Sequence, residues 1–591
     1  MKGRSHLFFV AVSAARRPRI TSLAPNTTVS AAVMAGVITL ALLTGGEPAL
    51  AQQLPGGGAQ LLQIPPPQVQ ERTIPDIRIE RSQAPPNPTL PGIKFLVTSL
   101  HVTGETKFSE AELIAAADFK PGGELDLADL RAMASKISDY YVQRGYFVAQ
   151  AYLPAQDVSD GTVTIAVIEG HYGTIQLRNS SNLSDDVAND ALEGVQSGDI
   201  VAIAPLEHSL LLLSDVPGIG VRSTLVPGAS VGTSDLIVNV DPGQRVTGSI
   251  DADNAGNPYT GEYRLGGSVN FNEPLGWGDV ASLRVLTSDF GSPEYLNYIR
   301  GSYQGQVHNA TIGVAYSWLD YRLGKQFSAL DATGTANIIS LYGGYPLIRS
   351  RDSNLTFLID FDVQSFQDEV GVPYSIDDKR DLTVTPGLSG NHHDNFGGGG
   401  WFYYSAFGTF GNLDIETPSA RAADLASART DGSYFKLDGQ LARLQNVVGP
   451  LSLYAQIKGQ WASKNLDDSE QMELGGAYGV LAYPEGEAYA DEGYVASLEA
   501  RLEVPNFWER LPGQMQVFGF VDTGTVTLHT DPWAPGPNER TLSAAGAGFR
   551  WVDANDFALS VVYAHKLGDA VATSSSDYAS GRVWVQLTKF F

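Results

Sequence analysis

The sequence predicts an exported three-part protein: a cleaved leader, two small α/β modules in tandem, and a transmembrane antiparallel β-barrel of about 16 strands. Three observations predict it. An apolar stretch near the N-terminus ends in a small-residue cleavage pattern, and no later stretch offers roughly 18 consecutive apolar residues. A β-α-α-β-β pattern occurs twice before residue 246. From Val246 to the end, helical periodicity gives way to short alternating segments divided by Gly, Asn, Asp and Pro.

Composition narrows the class. The 591 residues carry 39 Lys+Arg against 65 Asp+Glu, a net charge of −26, which excludes a nucleic-acid binder held by phosphate contacts. Charged residues are 18%, below the roughly 25% of an ordinary soluble domain. With Cys at zero there is no disulfide framework, thiolate metal site or cysteine nucleophile. Gly at 63 and Tyr at 25 are compatible with a porin-like barrel without establishing one.

Residues 1–51 read as a signal peptide. Lys2, Arg4, Arg16, Arg17 and Arg19 form its positive region, and an apolar run extends from Val29 to Leu43. Ala49-Leu50-Ala51 before Gln52 supplies the cleavage logic. The run is about 15 residues, short of the roughly 20 that a spanning helix needs. Cleavage after Ala51 removes five basic residues and Glu47, leaving 34 basic and 64 acidic residues and a net charge of −30.

Residues 52–92 are Pro-, Gly- and Gln-rich, and Pro65-Pro66-Pro67, Pro85-Pro86 and Pro88 break any long helix. This segment reads as an extended linker or a plug segment, with one short turn near Gln60–Gln63. Residues 93–172 form the first module. A strand over Phe95–Val102 precedes a helix capped by Ser109, with Glu110 and Glu112 in its first turn. Leu127, Leu130, Met133, Ile137 and Tyr140 mark a second helix, which Gly145 ends. Strands over Tyr146–Leu153 and Thr162–Ile168 follow, with Asp160-Gly161 turning between them. Residues 173–245 repeat the order: strand Thr174–Leu177, helices Ser184–Leu192 and Leu206–Leu213, strands Val221–Val226 and Leu236–Val240.

An ordered set of short motifs in these modules resembles a known family. Gly145-Tyr146, Leu153-Pro154-Ala155-Gln156, Asp160-Gly161 and Ile168-Glu169-Gly170 resemble the first POTRA domain of the two-partner secretion (type Vb) outer-membrane transporters. Asp215-Val216-Pro217-Gly218, Pro227-Gly228 and Ser234-Asp235-Leu236 resemble the second. The resemblance implies that the strand after the helices is a sheet edge. An edge presents unpaired N–H and C=O groups to which an unfolded polypeptide can add as a further strand. The edges implied here carry Tyr146, Val148, Gln150 and Tyr152 in the first module and Val221, Ser223 and Leu225 in the second.

Residues 246–591 read as the barrel. Segments such as Leu355–Phe361, Trp401–Phe407, Phe435–Leu441 and Leu453–Ile457 alternate, as transmembrane strands do. The last strand puts Val583, Val585, Leu587 and Phe591 on one face, and Arg582, Trp584, Gln586, Thr588 and Phe590 on the other. Thr260-Gly261, Tyr263-Arg264, Asn272, Pro274-Leu275-Gly276 and Gly278-Asp279 resemble the first barrel hairpin of the same family. The C-terminal Phe591 resembles the assembly signal of outer-membrane proteins.

The stretch from Leu474 through Val480-Leu481-Ala482-Tyr483 to Tyr494 resembles the family's sixth extracellular loop, which folds back into the pore. The family's tip carries an arginine where this chain has Leu481. By resemblance that arginine pairs with an aspartate of a wall strand, present here as Phe518, Phe520, Asp522 and Gly524. Asp522 faces the lumen if Val517 and Val521 face lipid. Glu499 and Arg501 share the lumen face of the preceding strand, so Arg501 is a candidate to neutralise Asp522, Glu499 or both.

No catalytic pattern is present: no Gly-x-Ser-x-Gly, no His-Glu-x-x-His and no P-loop. His392-His393-Asp394, beside Asn395 and Gly397–Gly400, reads as a solvated loop and not a metal-ligand set. The expectation is a non-enzymatic translocation pore, without metal or cofactor. Its POTRA domains would lie in the periplasm. Its expected partners are a secreted exoprotein (adhesin or haemolysin-like and β-helical), outer-membrane lipids and the barrel assembly machinery. The alternatives are an assembly factor of the same superfamily, which two modules fit less well than three or five, and a passive porin.

Overall fold

The computed structural model describes residues 54–65, 76–79, 94–505, 512–553, 556–574 and 579–591. The predicted signal peptide lies outside them, as does most of 52–92. Two short pieces of that segment are described: a helix, α1 (Gly57–Leu62), and a strand, β1 (Asp76–Ile79).

The first module contains β2 (Phe95–Val97), β3 (Ser99–Thr103), α2 (Glu110–Ala116), β4 (Gly123–Leu125), α3 (Leu127–Gln143), β5 (Gln150–Tyr152) and β6 (Thr162–Ile168). Ser109 and Glu112 form a capping box at α2, and Asp126 and Asp129 form another at α3, satisfying backbone donors that the first helical turn leaves free. Leu130, Ala134, Ile137 and Tyr141 recur at helical spacing along α3 and pack on Val163, Ile165 and Val167 of β6. Glu169 pins the module's end. Its carboxylate accepts from the Thr106 N–H at 2.7 Å, the Lys107 N–H at 2.9 Å and the Tyr141 hydroxyl at 2.8 Å. Burial favours its neutral form, but the hydrogen bonds from the Thr106 hydroxyl and from the two N–H groups outweigh that and hold its pKa below 4.5.

Two readings of this module need correction. The strand expected over Phe95–Val102 is divided, with β2 pairing β4 and β3 joining the sheet β3-β6-β5. The strand expected over Tyr146–Leu153 shrinks to β5. Tyr146 and Val148 precede it in a turn. The Tyr146 ring meets Phe108 edge-on at 5.7 Å and Tyr141 at 6.0 Å, while Val148 packs on the core of the second module. Apolar burial at the junction thus wins over strand extension. Gln150 and Tyr152 stay on an exposed edge.

The second module contains β7 (His171–Asn179), α4 (Asp185–Ala191), α5 (Ile203–Ser214), β8 (Ile219–Pro227) and β9 (Thr233–Pro242). Leu206, Leu210 and Leu213 of α5 pack on Val221, Leu225, Leu236, Val238 and Val240. Its sheet runs β1-β8-β9-β7, which corrects the second edge. The chain's own β1 covers β8, and the side chains of Val221, Ser223 and Leu225 point into the core, each less than 10% exposed. What β8 offers at its edge is backbone, not those side chains.

The second module docks on the near end of the barrel. The Ser184 N–H donates to the Gly276 carbonyl at 2.8 Å, Arg349 pairs with Asp215 at 2.6 Å, and Arg351 pairs with Glu207 at 2.5 Å. Above it, sixteen strands form a closed antiparallel barrel. Val246–Asp253 closes against Gly581–Phe590, in register from Ser249–Phe590 to Asp253–Gln586. Val583, Val585, Leu587 and Phe591 face outward, whereas Trp584 and Phe590 are buried inside. His392-His393-Asp394 ends a long strand, Ser375–Asp394, instead of lying in a loop, and Asp394 pairs with Arg443.

Candidate functional site in the barrel lumen

Among the described residues, two segments enter the lumen. The first is the long loop between the strands Leu451–Ala462 and Glu492–Val504. Its stem is a minimal hairpin in which Met472–Glu473 pairs Tyr489–Ala490. The Leu474 N–H donates to the Ala488 carbonyl and the Gly475 N–H to the Glu487 carbonyl, so the chain returns on itself and drives the tip inward. At the tip, Val480, Ala482 and Tyr483 are at most 2% exposed and pack in one cluster with Leu474, Phe518, Phe520, Leu542 and Trp584.

The wall strand Gln514–Thr527 alternates as its sequence demands. Val517 and Val521 face outward, while Phe518, Phe520 and Asp522 are buried on the lumen side. Gly524 makes room for the loop: a Cβ there would stand 2.6 Å from Leu474 Cδ1 and 2.7 Å from the Tyr494 carbonyl. The Ser497 side chain and the Leu481 backbone N–H are turned toward the Asp522 carboxylate, whose Oδ2 is buried with no hydrogen-bond partner among the described residues. The residue in the place of the family's arginine therefore turns its main chain toward the aspartate. The Leu481 carbonyl in turn accepts from Trp584 Nε1 at 2.6 Å.

Arg501 does not serve Asp522. Its guanidinium pairs with Glu499 at 2.6 Å and lies 3.9 Å over the Tyr454 ring. Arg550 meets the same Glu499 at 3.0 Å and lies 3.9 Å over the Phe518 ring. Glu499 is thus a carboxylate held between two arginines, and sequence reasoning missed Arg550. The loop's strongest polar tie was missed as well. Glu487, fully buried, pairs with Arg540 and accepts from the Thr573 N–H at 3.0 Å and the Ser574 N–H at 2.8 Å. That tie fastens the loop root to the loop before the last strand.

The second occupant is α1. Gly57, Gly58, Ala59 and Gln60 are buried inside the barrel. The Gly56 N–H donates to Asp468 and the Gly57 N–H to Asp368, each at 2.9 Å, so two carboxylates satisfy the helix's first donors. Gly58 presses on Ser469, and a Cβ there would stand 2.5 Å from the Ser469 Cα. The Thr260 hydroxyl donates to Gln60 Oε1 at 3.0 Å, and Arg264 donates to the Gln63 carbonyl at 2.9 Å while pairing with Asp253. Leu54, Leu61 and Ile64 pack on a wall cluster that includes Tyr259 and Phe327. The sequence reading placed only a turn near Gln60–Gln63. The usable signals were the Gly56-Gly57-Gly58 run amid apolar residues and the Thr260 and Arg264 of the first-hairpin motif.

Comparison with known proteins places this architecture. Residues 232–551 match the family "Haemolysin secretion/activation protein ShlB/FhaC/HecB", and residues 95–170 match "POTRA domain, ShlB-type". The chain is 27% identical over 506 residues to the heme/hemopexin transporter protein HuxB of Haemophilus influenzae, spanning 85% of this chain and 88% of that one. It is 26% identical over 472 residues to the outer membrane transporter CdiB of Escherichia coli, spanning 77% and 76%. The solved structure of CdiB from Escherichia coli superposes with a TM-score of 0.65 at 20% identity, covering 87% of this chain and 92% of that one. BamA from Haemophilus ducreyi lacking POTRA domains 1-3 gives 0.50 at 14% identity, covering 84% and 100%. With more than half of its length matched and its modules and barrel in the same order, the chain belongs to the ShlB/FhaC/HecB haemolysin secretion/activation family.

Proposed function

We propose that this chain is the outer-membrane translocation pore of a two-partner secretion system, capturing an unfolded exoprotein with periplasmic POTRA domains and passing it through the barrel. The observation that carries this reading is two POTRA-type modules docked beneath a sixteen-strand barrel in a chain of this family. The barrel lies in the outer membrane. The exposed edge at Gln150 and Tyr152 is a strand-addition site for cargo, where backbone bonds give affinity and the side chains of the cargo matter little. No ATP is available outside the inner membrane, so folding of the cargo at the cell surface supplies the net direction. The reading makes the chain a transporter, not an enzyme, with the exoprotein, outer-membrane lipids and the barrel assembly machinery as its partners. Phe591, whose backbone pairs with Gly248 at the seam, is the end that the assembly machinery reads.

The test is in-frame deletion of residues 93–245, with secretion of the exoprotein encoded nearest this gene as the readout and barrel insertion as the control. The expected result is cargo lost from the medium and held in the periplasm. Unchanged cargo with altered levels of other outer-membrane proteins would favour an assembly factor, and no change in either would leave a passive pore.

A further inference from the structure

The nine-residue strand β8 has β9 on one side and β1 on the other. β1 runs parallel to β8, in register from Asp76–Arg222 and Ile77–Ser223 to Arg78–Thr224 and Ile79–Leu225. Among the described residues it covers four of the nine positions of β8. In the sequence Pro75 precedes it directly, and proline cannot donate to a ladder.

The two faces of β1 are unequal. Ile77, level with the buried Ser223, packs against the core of the second module. Arg78, level with Thr224, is exposed. The β8 edge thus holds an extended chain by backbone bonds, with a seat for one apolar side chain and an exposed position beside it. That is the recognition an unfolded polypeptide of alternating pattern can satisfy. A tethered strand competes at high effective concentration, but a free segment that pairs along all of β8 forms more backbone bonds.

We propose that β1 is a built-in stand-in for cargo. It occupies the β8 edge until a longer extended segment of the exoprotein replaces it in the same parallel register. The inference rests on the reading of this chain as a strand-capturing transporter. Ten residues join Pro65, just after α1, to Asp76, so a segment arriving at β8 displaces the stretch of chain that leads back to the plug.

The chain has no cysteine, so Arg78→Cys with Thr224→Cys gives one defined cross-link. Neighbouring strands lie about 4.8 Å apart, within the Cα range of a disulfide. The full chain in lipid vesicles is offered a fluorescein-labelled nine-residue peptide alternating Thr and Val. Oxidation should reduce its binding at least tenfold, with recovery on reduction, and Ile77→Asp, which loosens β1 without touching β8, should raise its affinity about tenfold. Equal binding by the oxidised and reduced pair would overturn the proposal. In cells, the oxidised pair should cut secretion of the exoprotein encoded nearest this gene at least tenfold. Full secretion through a quantitative cross-link would equally overturn it. Should the exoprotein reach the medium without this chain at all, the transporter reading fails, and the peptide measurement still decides whether β1 is displaceable.

Discussion

The loop and the plug share one lumen, and they are held by different physics. The loop tip buries Val480, Ala482 and Tyr483 among Phe518, Phe520, Leu542 and Trp584, a contact that water cannot replace. The plug buries Gly57, Gly58, Ala59 and Gln60, and its ties to Asp368, Asp468, Thr260 and Arg264 are hydrogen bonds that water can take over. Among the described residues, Leu54, Leu61 and Ile64 add apolar contact. The loop is therefore a part of the barrel's core, whereas the helix in the pore is held mainly by hydrogen bonds.

The largest expected effect tests the loop's half of this contrast. Glu487→Ala strips the partner from Arg540 and leaves the Thr573 and Ser574 N–H groups without their acceptor. Removing one side of a buried pair costs about 3–5 kcal/mol. The urea midpoint of the folded barrel in detergent micelles measures it. A midpoint unchanged from wild type would mean that the loop contributes little to barrel stability. Gly58→Ala tests the other half. The added methyl has no room beside Ser469, so the plug should leave and single-channel conductance in planar bilayers should rise several-fold. Barrel stability should move by less than about 0.5 kcal/mol, as for a site away from the core. A joint loss of stability and plug would break the contrast.

Legibility followed the same division. Period-two alternation exposed the barrel and put Phe518, Phe520 and Asp522 on the lumen face, because strand parity is a local property of sequence. Helical spacing and caps exposed the modules for the same reason. The segment read as a linker or a plug, but its helix was reduced to a turn, because glycine, alanine and glutamine carry no periodic signal; the helix is specified by the pore around it. Arg550 and Arg540 escaped because Arg550 reaches Glu499 over the strand between them and Arg540 reaches Glu487 in the inward loop, pairings distant in sequence. The occupied β8 edge escaped because β1 lies 146 residues away from its partners in the chain.

Between the lumen and the sheet edges, Glu169 offers a pH test. Its pKa is depressed in the folded state, so its contribution to the first module is complete above pH 4.5 and is lost as the pH falls through the folded value. Glu169→Ala removes hydrogen bonds to a buried charge, a loss of about 2–3 kcal/mol. In the full chain, the protection of amides across α3 and β6 against exchange should fall for wild type as the pH drops below 4.5 and be low for Glu169→Ala at every pH. Identical acid dependence of the two would show that another group carries it.

The smallest effect is expected where the sequence departs most visibly from its family. On sequence grounds, Arg501→Ala should weaken secretion far more than Leu481→Ala, because Arg501 was to stand in for the missing arginine. The structure redistributes those roles. Arg501→Ala leaves Glu499 paired with Arg550, and Asp522 keeps Ser497 and the Leu481 N–H turned toward it. Leu481→Ala keeps the main-chain bond to Trp584 and loses part of a half-buried side chain, less than the roughly 2–5 kcal/mol of a fully buried leucine. Both variants should therefore secrete within about twofold of wild type, measured as exoprotein in the medium. Asp522→Ala should fall well below both, since it releases the backbone of the tip itself. If Arg501→Ala alone collapses secretion, the wall aspartate depends on a cation after all, and the main chain of Leu481 is not its substitute.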